Sequence, residues 1–300
     1  MRKTFVDSLL EWGKANEPPY LLTGDLGYSV LEPFQQTFPA NFINVGIMEQ
    51  SMISFGAGLQ LSTQKPVFIY SINNFVTFRA LEQIRLDIGY HNLGICLVGV
   101  GAGFQYQTAG YSHWGVEDLA AIASLEKFSI STPSDSQGVK TQVQQFLSNP
   151  KPTYLRLGKI ESEFTNFQNI ENFQGIRRLG IGSKYLLTHG SLASVIANHK
   201  SFNPELFSLV IFDRMPEFDD INLINLIRSA KSISIIEEVI FSGGLGSRIS
   251  RIIAENRISI EFSWTGINGR ELQSAGGEIN YLRNRELGEN YLEKILNSNG

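Results

Sequence analysis

A chain of 300 residues, 42% hydrophobic and 18% charged, is long enough for one large or two ordinary domains with real cores. Its formal net charge of -4 offers no basic footprint for nucleic acid, and no apolar run is long enough to cross a bilayer. The single cysteine, Cys96 in LGICLVGV, excludes a disulfide framework and a cysteine-built metal site, and reads as a small buried hydrophobe.

The chain opens on MRKTFVDSLLEWGKA, where Asp7 and Glu11 sit at helical spacing among apolar positions. That is an amphipathic helix and not a signal peptide, so a cytoplasmic protein is the expectation. Short apolar strands then alternate with helices, the pattern of parallel α/β sheets. The strands expected in the first half are PYLLTG, NFINV, PVFIYSI, LGICLVGV, FSISTP and PTYLRLG. Gly46 turns the second of them into a helix whose apolar positions Met48, Met52, Phe55 and Leu59 fall at helical intervals. Further helices are expected over Phe75 to Ile88, Val116 to Glu126 and Ser136 to Ser148, the last with Asp135 as its N-cap. The polar, weakly periodic stretch Glu161 to Gly182 reads as a boundary connection. A second series follows, with strands KYLLTH, FSLVIFD, SISIIEEV and ISIEFSW.

Several polar residues fall just after strand ends, where open α/β sheets keep their sites. Glu49 stands in an otherwise apolar run; it either complements the helix dipole or meets a ligand. Asp25 in TGDLG is a turn residue or a contact, and His113 closes the glycine-interrupted loop GAGFQYQTAGYSHWG. GGLGS, residues 243 to 247, lacks the third glycine and downstream acid of a dinucleotide turn, and close helix–strand packing explains it equally well.

In the order GDLG, FPANFINVGIMEQSM, FSISTPSD, with a loop histidine between, the chain resembles the pyrimidine-binding domain of the transketolase family. KPVFIYSINNF and GYSHWGVEDLA are similar to the family's next strand and its histidine loop, and EEVIFSGGLGS to its C-terminal domain. The resemblance implies two consecutive three-layer α/β domains: a pyrimidine-binding domain over residues 1–165, a linker over 166–182 and a C-terminal domain over 183–300. It implies thiamine diphosphate as cofactor. Glu49 then hydrogen-bonds a ring nitrogen of the aminopyrimidine, Phe75 stacks on that ring, and Phe78 and Asp25 line the same pocket. By the same resemblance His113 is catalytic, reaching the substrate oxygens, and Arg156 and Lys159 hold a substrate phosphate. No metal ligand is expected in this chain. The family's Gly-Asp-Gly…Asn motif is missing, so Mg2+ and the diphosphate are expected on a separate partner polypeptide. An α2β2 heterotetramer with self-association of this chain follows from that. Its activity would be transfer of a two-carbon ketol unit between sugars, phosphorylated or modified. The rival readings are a decarboxylating subunit, similar to 1-deoxyxylulose-5-phosphate synthase or a 2-oxo acid dehydrogenase β subunit, and a non-catalytic scaffold. Three departures bear on the sugar. Ala109 stands where the family's loop carries a second acid, Gly101 where true transketolases carry a histidine, and Val239 where a histidine often follows two acids. Gln105, Gln107 and Tyr111 are the candidates to replace the missing acid.

Overall fold

Two six-stranded sheets follow one another along the chain in the computed structural model, which describes residues 1–106, 109–159, 164, 171–173, 175–217, 220–268, 292–293 and 296–297. The first comprises β1 (Tyr20–Thr23), β2 (Phe42–Asn44), β3 (Val67–Ile72), β4 (Ile95–Val100), β5 (Ser129–Ser131) and β6 (Thr153–Leu157). All its pairings are parallel, in the order β2-β1-β3-β4-β6-β5. Period-2 side-chain alternation divides β4 between two cores. Ile95 and Leu97 join one apolar cluster, while Cys96, Val98 and Val100 join another under the N-terminal helix. That helix, α1 (Arg2–Ala15), buries Phe5, Val6 and Leu9 on the second face. Chain crossovers supply α2 (Glu32–Thr37), α3 (Glu49–Thr63), α4 (Asn73–Thr77), α5 (Leu81–Gln83), α6 (Asp118–Ala123) and α7 (Ser136–Ser148). Asp135 caps α7 as expected, its carboxylate accepting from the Gly138 N–H at 2.7 Å.

The second sheet contains β7 (Glu171–Phe173), β8 (Ile176–Leu179), β9 (Lys184–His189), β10 (Phe207–Phe212), β11 (Ser232–Ile240) and β12 (Glu261–Ile267). Its order is β12-β11-β9-β10-β8-β7, with every pairing parallel except β10–β8 and β8–β7, so that β8 alone runs against the rest. Helices α8 (Leu192–Ala197), α9 (Ile221–Ser229) and α10 (Leu245–Glu255) cover it.

Three expectations change. The stretch read as a linker contributes β7 and β8 to the second sheet. Its polarity hid the strand because Arg177 on β8 is buried at the seam between the sheets. There Arg177 donates to Asp135 at 2.7 Å and to Asp213 at 3.0 Å, and Asp213 also accepts from the Ser134 N–H at 2.9 Å. Burial pushes the Asp213 carboxyl up, against the pull of Arg177. The single helix expected from Phe75 to Ile88 is instead α4, a 3-10 turn at Phe78–Ala80, α5 and a π-helical segment at Ile84–Tyr90. Within it the Thr77 hydroxyl bonds back to the Asn73 carbonyl at 2.7 Å, and Ala80 leaves the helical region at φ -129°. On α3 the buried face is Glu49, Met52, Ile53, Gly56 and Ala57, while Met48 and Phe55 of the expected stripe are about half exposed.

Candidate active site

The polar residues singled out by sequence gather at the C-terminal ends of the parallel strands of the first sheet, where loops after several strands can meet one ligand. The Asp25 loop follows β1, Glu49 follows β2, α4 with Phe75 follows β3, the His113 loop follows β4, and Lys159 follows β6.

One amide joins the first two loops. Asn44 Oδ1 accepts from the Asp25 N–H at 2.9 Å and from the Gly46 N–H at 3.0 Å. Gly46 takes φ +78°, a left-handed turn suited to glycine, and the chain enters α3 at Glu49. Asp25 itself is exposed with φ +56°, and accepts from the Tyr28 hydroxyl at 2.6 Å. Its carboxylate shapes this loop.

Glu49 is 6% exposed, and its Oε1 accepts from Arg79 Nη1 at 2.8 Å. The Arg79 guanidinium carbon lies 3.5 Å from the Phe75 ring centroid, a flat cation on an aromatic face. Phe75 also meets the His113 ring, edge-on at 5.0 Å between centroids; Tyr106 packs against His113 at 5.8 Å, and Lys159 Nζ lies 5.0 Å from the Tyr106 centroid. His113 Nδ1 shares a hydrogen bond with Ser112 Oγ at 2.9 Å. Glu49, Phe75, His113 and Lys159 are therefore joined in one run of contacts, through Arg79 and Tyr106. Phe78 is 46% exposed and joins none of these ring contacts among the described residues. Arg79, which sequence reading passed over, takes the place beside Glu49 instead.

Arg156 is corrected outright. It is 4% exposed, donating from Nε to Asp118 Oδ2 at 2.9 Å and from Nη2 to the Gly115 carbonyl. The same Asp118 oxygen accepts from Asn73 at 2.8 Å and from the Tyr154 hydroxyl, whose proton burial and Asp118 hold well above the usual range. A strand-end arginine looked available from sequence, but β6 is buried on both faces and Arg156 with it. Its work is to tie α4 to the His113 loop, helped by Asn74 donating to the Trp114 carbonyl at 2.8 Å. Lys159, by contrast, is exposed at this edge.

Of the candidate replacements for the missing loop acid, Gln105 donates to Ser191 Oγ at 2.6 Å and accepts from the Lys159 N–H. Tyr111 bonds to Glu117 at 2.9 Å. Gln107 lies outside the described residues. Ala109 itself is exposed. Gly101 has φ +90°, and a Cβ there would meet the Tyr106 ring at 2.0 Å, so Tyr106 fills the room a larger residue would need. GGLGS opens α10, but Glu237 plugs that helix end, accepting from the Leu245 N–H at 2.7 Å, the Gly246 N–H at 3.0 Å and the Trp264 indole at 2.8 Å. Its glycines serve close approach: a Cβ on Gly243 would meet Ala120 Cα at 2.4 Å.

A buried carboxylate and an aromatic face, both engaged by one flat nitrogen cation, are the partners an aminopyrimidine requires. The residues present fit thiamine diphosphate at its pyrimidine end, with Arg79 as the stand-in. The model of the transketolase pyrimidine-binding domain matches residues 1–165, and the chain belongs to that family. It is 29% identical over 278 residues to a putative transketolase C-terminal section of Methanocaldococcus jannaschii, covering 89% of this chain and 86% of that protein. To one of the subunits of an apulose-4-phosphate transketolase of Phocaeicola vulgatus it is 27% identical, covering 86% and 85%. A solved split-gene transketolase, described as an inactive β4 tetramer, superimposes with a TM-score of 0.83 at 24% identity, over 99% of this chain and 96% of that one. That likeness concerns the fold.

Proposed function

We propose that this chain is the pyrimidine-binding subunit of a split, thiamine-diphosphate-dependent transketolase-like transferase. The observation that carries the reading is the convergence of the Glu49 carboxylate and the Phe75 face on one flat nitrogen cation at the sheet's C-terminal edge. When bound, thiamine diphosphate would supply the carbanion chemistry that transfer of a two-carbon ketol unit from a ketose to an aldose needs. Glu49 holds or yields a proton at the pyrimidine nitrogen it contacts, a task that needs a carboxyl group. Phe75 fixes the plane of that ring. His113, braced by the Phe75 and Tyr106 rings, offers an imidazole to the substrate oxygens. Lys159, exposed at the rim, supplies a cation for an anionic substrate end such as a phosphate.

The similarity to a protein named as one subunit of a transketolase supports a separate partner chain. Since the sequence lacks Gly-Asp-Gly…Asn, we assign the diphosphate and its Mg2+ to that partner, in an α2β2 assembly. The domain division proposed is residues 1–165 for the pyrimidine-binding unit and 183–300 for the C-terminal unit. Residues 166–182 join them and lend β7 and β8 to the second sheet. The similarity to a relative named for a sugar phosphate supports a phosphorylated or modified sugar as substrate.

The test is Glu49→Gln in the reconstituted pair. The amide keeps shape and hydrogen bonding but cannot move a proton, so turnover falls on the order of a hundredfold or more while assembly is unchanged. Near-normal turnover by a correctly assembled variant would falsify the assignment.

A further inference from the structure

The Arg79 guanidinium engages the two groups an aminopyrimidine needs, and it engages both at once. Its carbon sits 3.5 Å from the Phe75 centroid, which is van der Waals contact. No second flat ring can lie on that face while it is there. Its Nη1 donates at 2.8 Å to the Glu49 oxygen, a position a protonated pyrimidine nitrogen would fill. We propose that Arg79 is a placeholder in the coenzyme pocket: in the free chain it occupies the aminopyrimidine's seat between Phe75 and Glu49, and the coenzyme enters by displacing it. This rests on the reading of Glu49 and Phe75 as pyrimidine contacts.

The two partners differ in freedom. The Glu49 side chain is 6% exposed and anchored in the first turn of α3, whereas that of Arg79 is 44% exposed on the 3-10 turn after α4. Arg79 can therefore swing into water and lose little burial, while Glu49 stays where it is. Without its placeholder, the Glu49 carboxylate would face an apolar neighbourhood that includes Met52 and Ile53 with no partner of opposite charge at this contact. The placeholder keeps the empty pocket satisfied and holds the carboxylate aimed. Loading the coenzyme is then an exchange of one flat nitrogen donor for another, and its affinity is reduced by whatever holds Arg79 in place.

The experiment measures binding of thiamine diphosphate with Mg2+ to the reconstituted pair by calorimetry, for wild type, Arg79→Ala, Arg79→Lys and Glu49→Ala. Loss of one cation–π contact and one half-exposed ion pair from the empty state predicts binding tighter by about tenfold in Arg79→Ala. Arg79→Lys, which keeps the charge but cannot stack as a plane, falls between that variant and wild type, and carries the test if Arg79→Ala does not assemble. Glu49→Ala weakens binding. A merely structural arginine would not give tighter binding on removal. Unchanged or weaker binding in both Arg79 variants, with Glu49→Ala weakened, overturns the placeholder and leaves the pocket reading intact. Unchanged binding in Glu49→Ala overturns the pocket reading and the placeholder with it.

Discussion

Replacing Arg156 by Met separates two jobs that a strand-end arginine could hold. In the structure its side chain is 4% exposed, and Asp118, 0% exposed, depends on it for charge balance. Met matches the length of the stem but leaves the Asp118 carboxyl group buried with only the neutral donors Asn73 and Tyr154. Removing one partner of a buried pair costs about 3–5 kcal/mol, most of it the penalty on the charge left behind. For a unit of this size each kcal/mol lowers Tm by roughly 2–4 °C, so a fall of roughly 6–20 °C is expected in a thermal melt of the free chain. Because the lost ties are those to the Gly115 carbonyl and to Asp118, the carboxylate that also holds Asn73 of α4, the Phe75–His113 spacing loosens as well, and kcat in the reconstituted pair falls beyond the stability loss. Arg156→Met combined with Asp118→Leu, which removes the stranded charge, should recover part of the melting temperature; the double-mutant cycle isolates the pair. If Arg156→Met melts within about 1 °C of wild type and raises only the KM for a phosphorylated donor, the arginine is a substrate contact and the buried-tie reasoning is wrong.

Two further predictions concern ligands. Calorimetry on this chain alone should find weak or undetectable thiamine diphosphate binding, with tight, metal-dependent binding only after the diphosphate-binding partner is added; tight binding by the free chain would show that the diphosphate is held here. At the substrate end, Ala109 cannot accept the hydroxyl that a loop acid would, which costs such a substrate roughly 1–3 kcal/mol. Xylulose 5-phosphate should accordingly be a poor donor for wild type, and Ala109→Asp should improve it by about tenfold or more in kcat/KM; efficient use by wild type with no gain in the variant would remove Ala109 from the account.

The sheets were legible because strand and helix periodicities differ, and all ten strands expected from apolar runs are present. What escaped was polar and buried. Arg177 made β8 look like a connection, and Arg156 looked like a free cation, since charge in a sequence says nothing about whether a partner waits in the core. Glu49, Phe75 and His113 were singled out through the order of motifs, and the structure brings Phe75 beside His113 and links it to Glu49 through Arg79. Arg79 was passed over because a lone arginine in a helical stretch is ordinary; its i, i+4 spacing from Phe75, which puts the two on one helix face, was the available signal.

The bond between Gly101 and Tyr106 is one of shape, and it constrains how this pocket can change over generations. A histidine at 101 would have to enter space 2.0 Å from the Tyr106 ring, in a backbone conformation with φ +90° that side chains rarely adopt. A smaller residue at 106 alone would open a void beside His113 and strip Lys159 of the ring it rests on. Shortening residue 106 would relieve the ring contact at 101, so a change at one position alters what the other can hold. The two positions are thus an epistatic unit, and a library meant to retune sugar choice should vary them together.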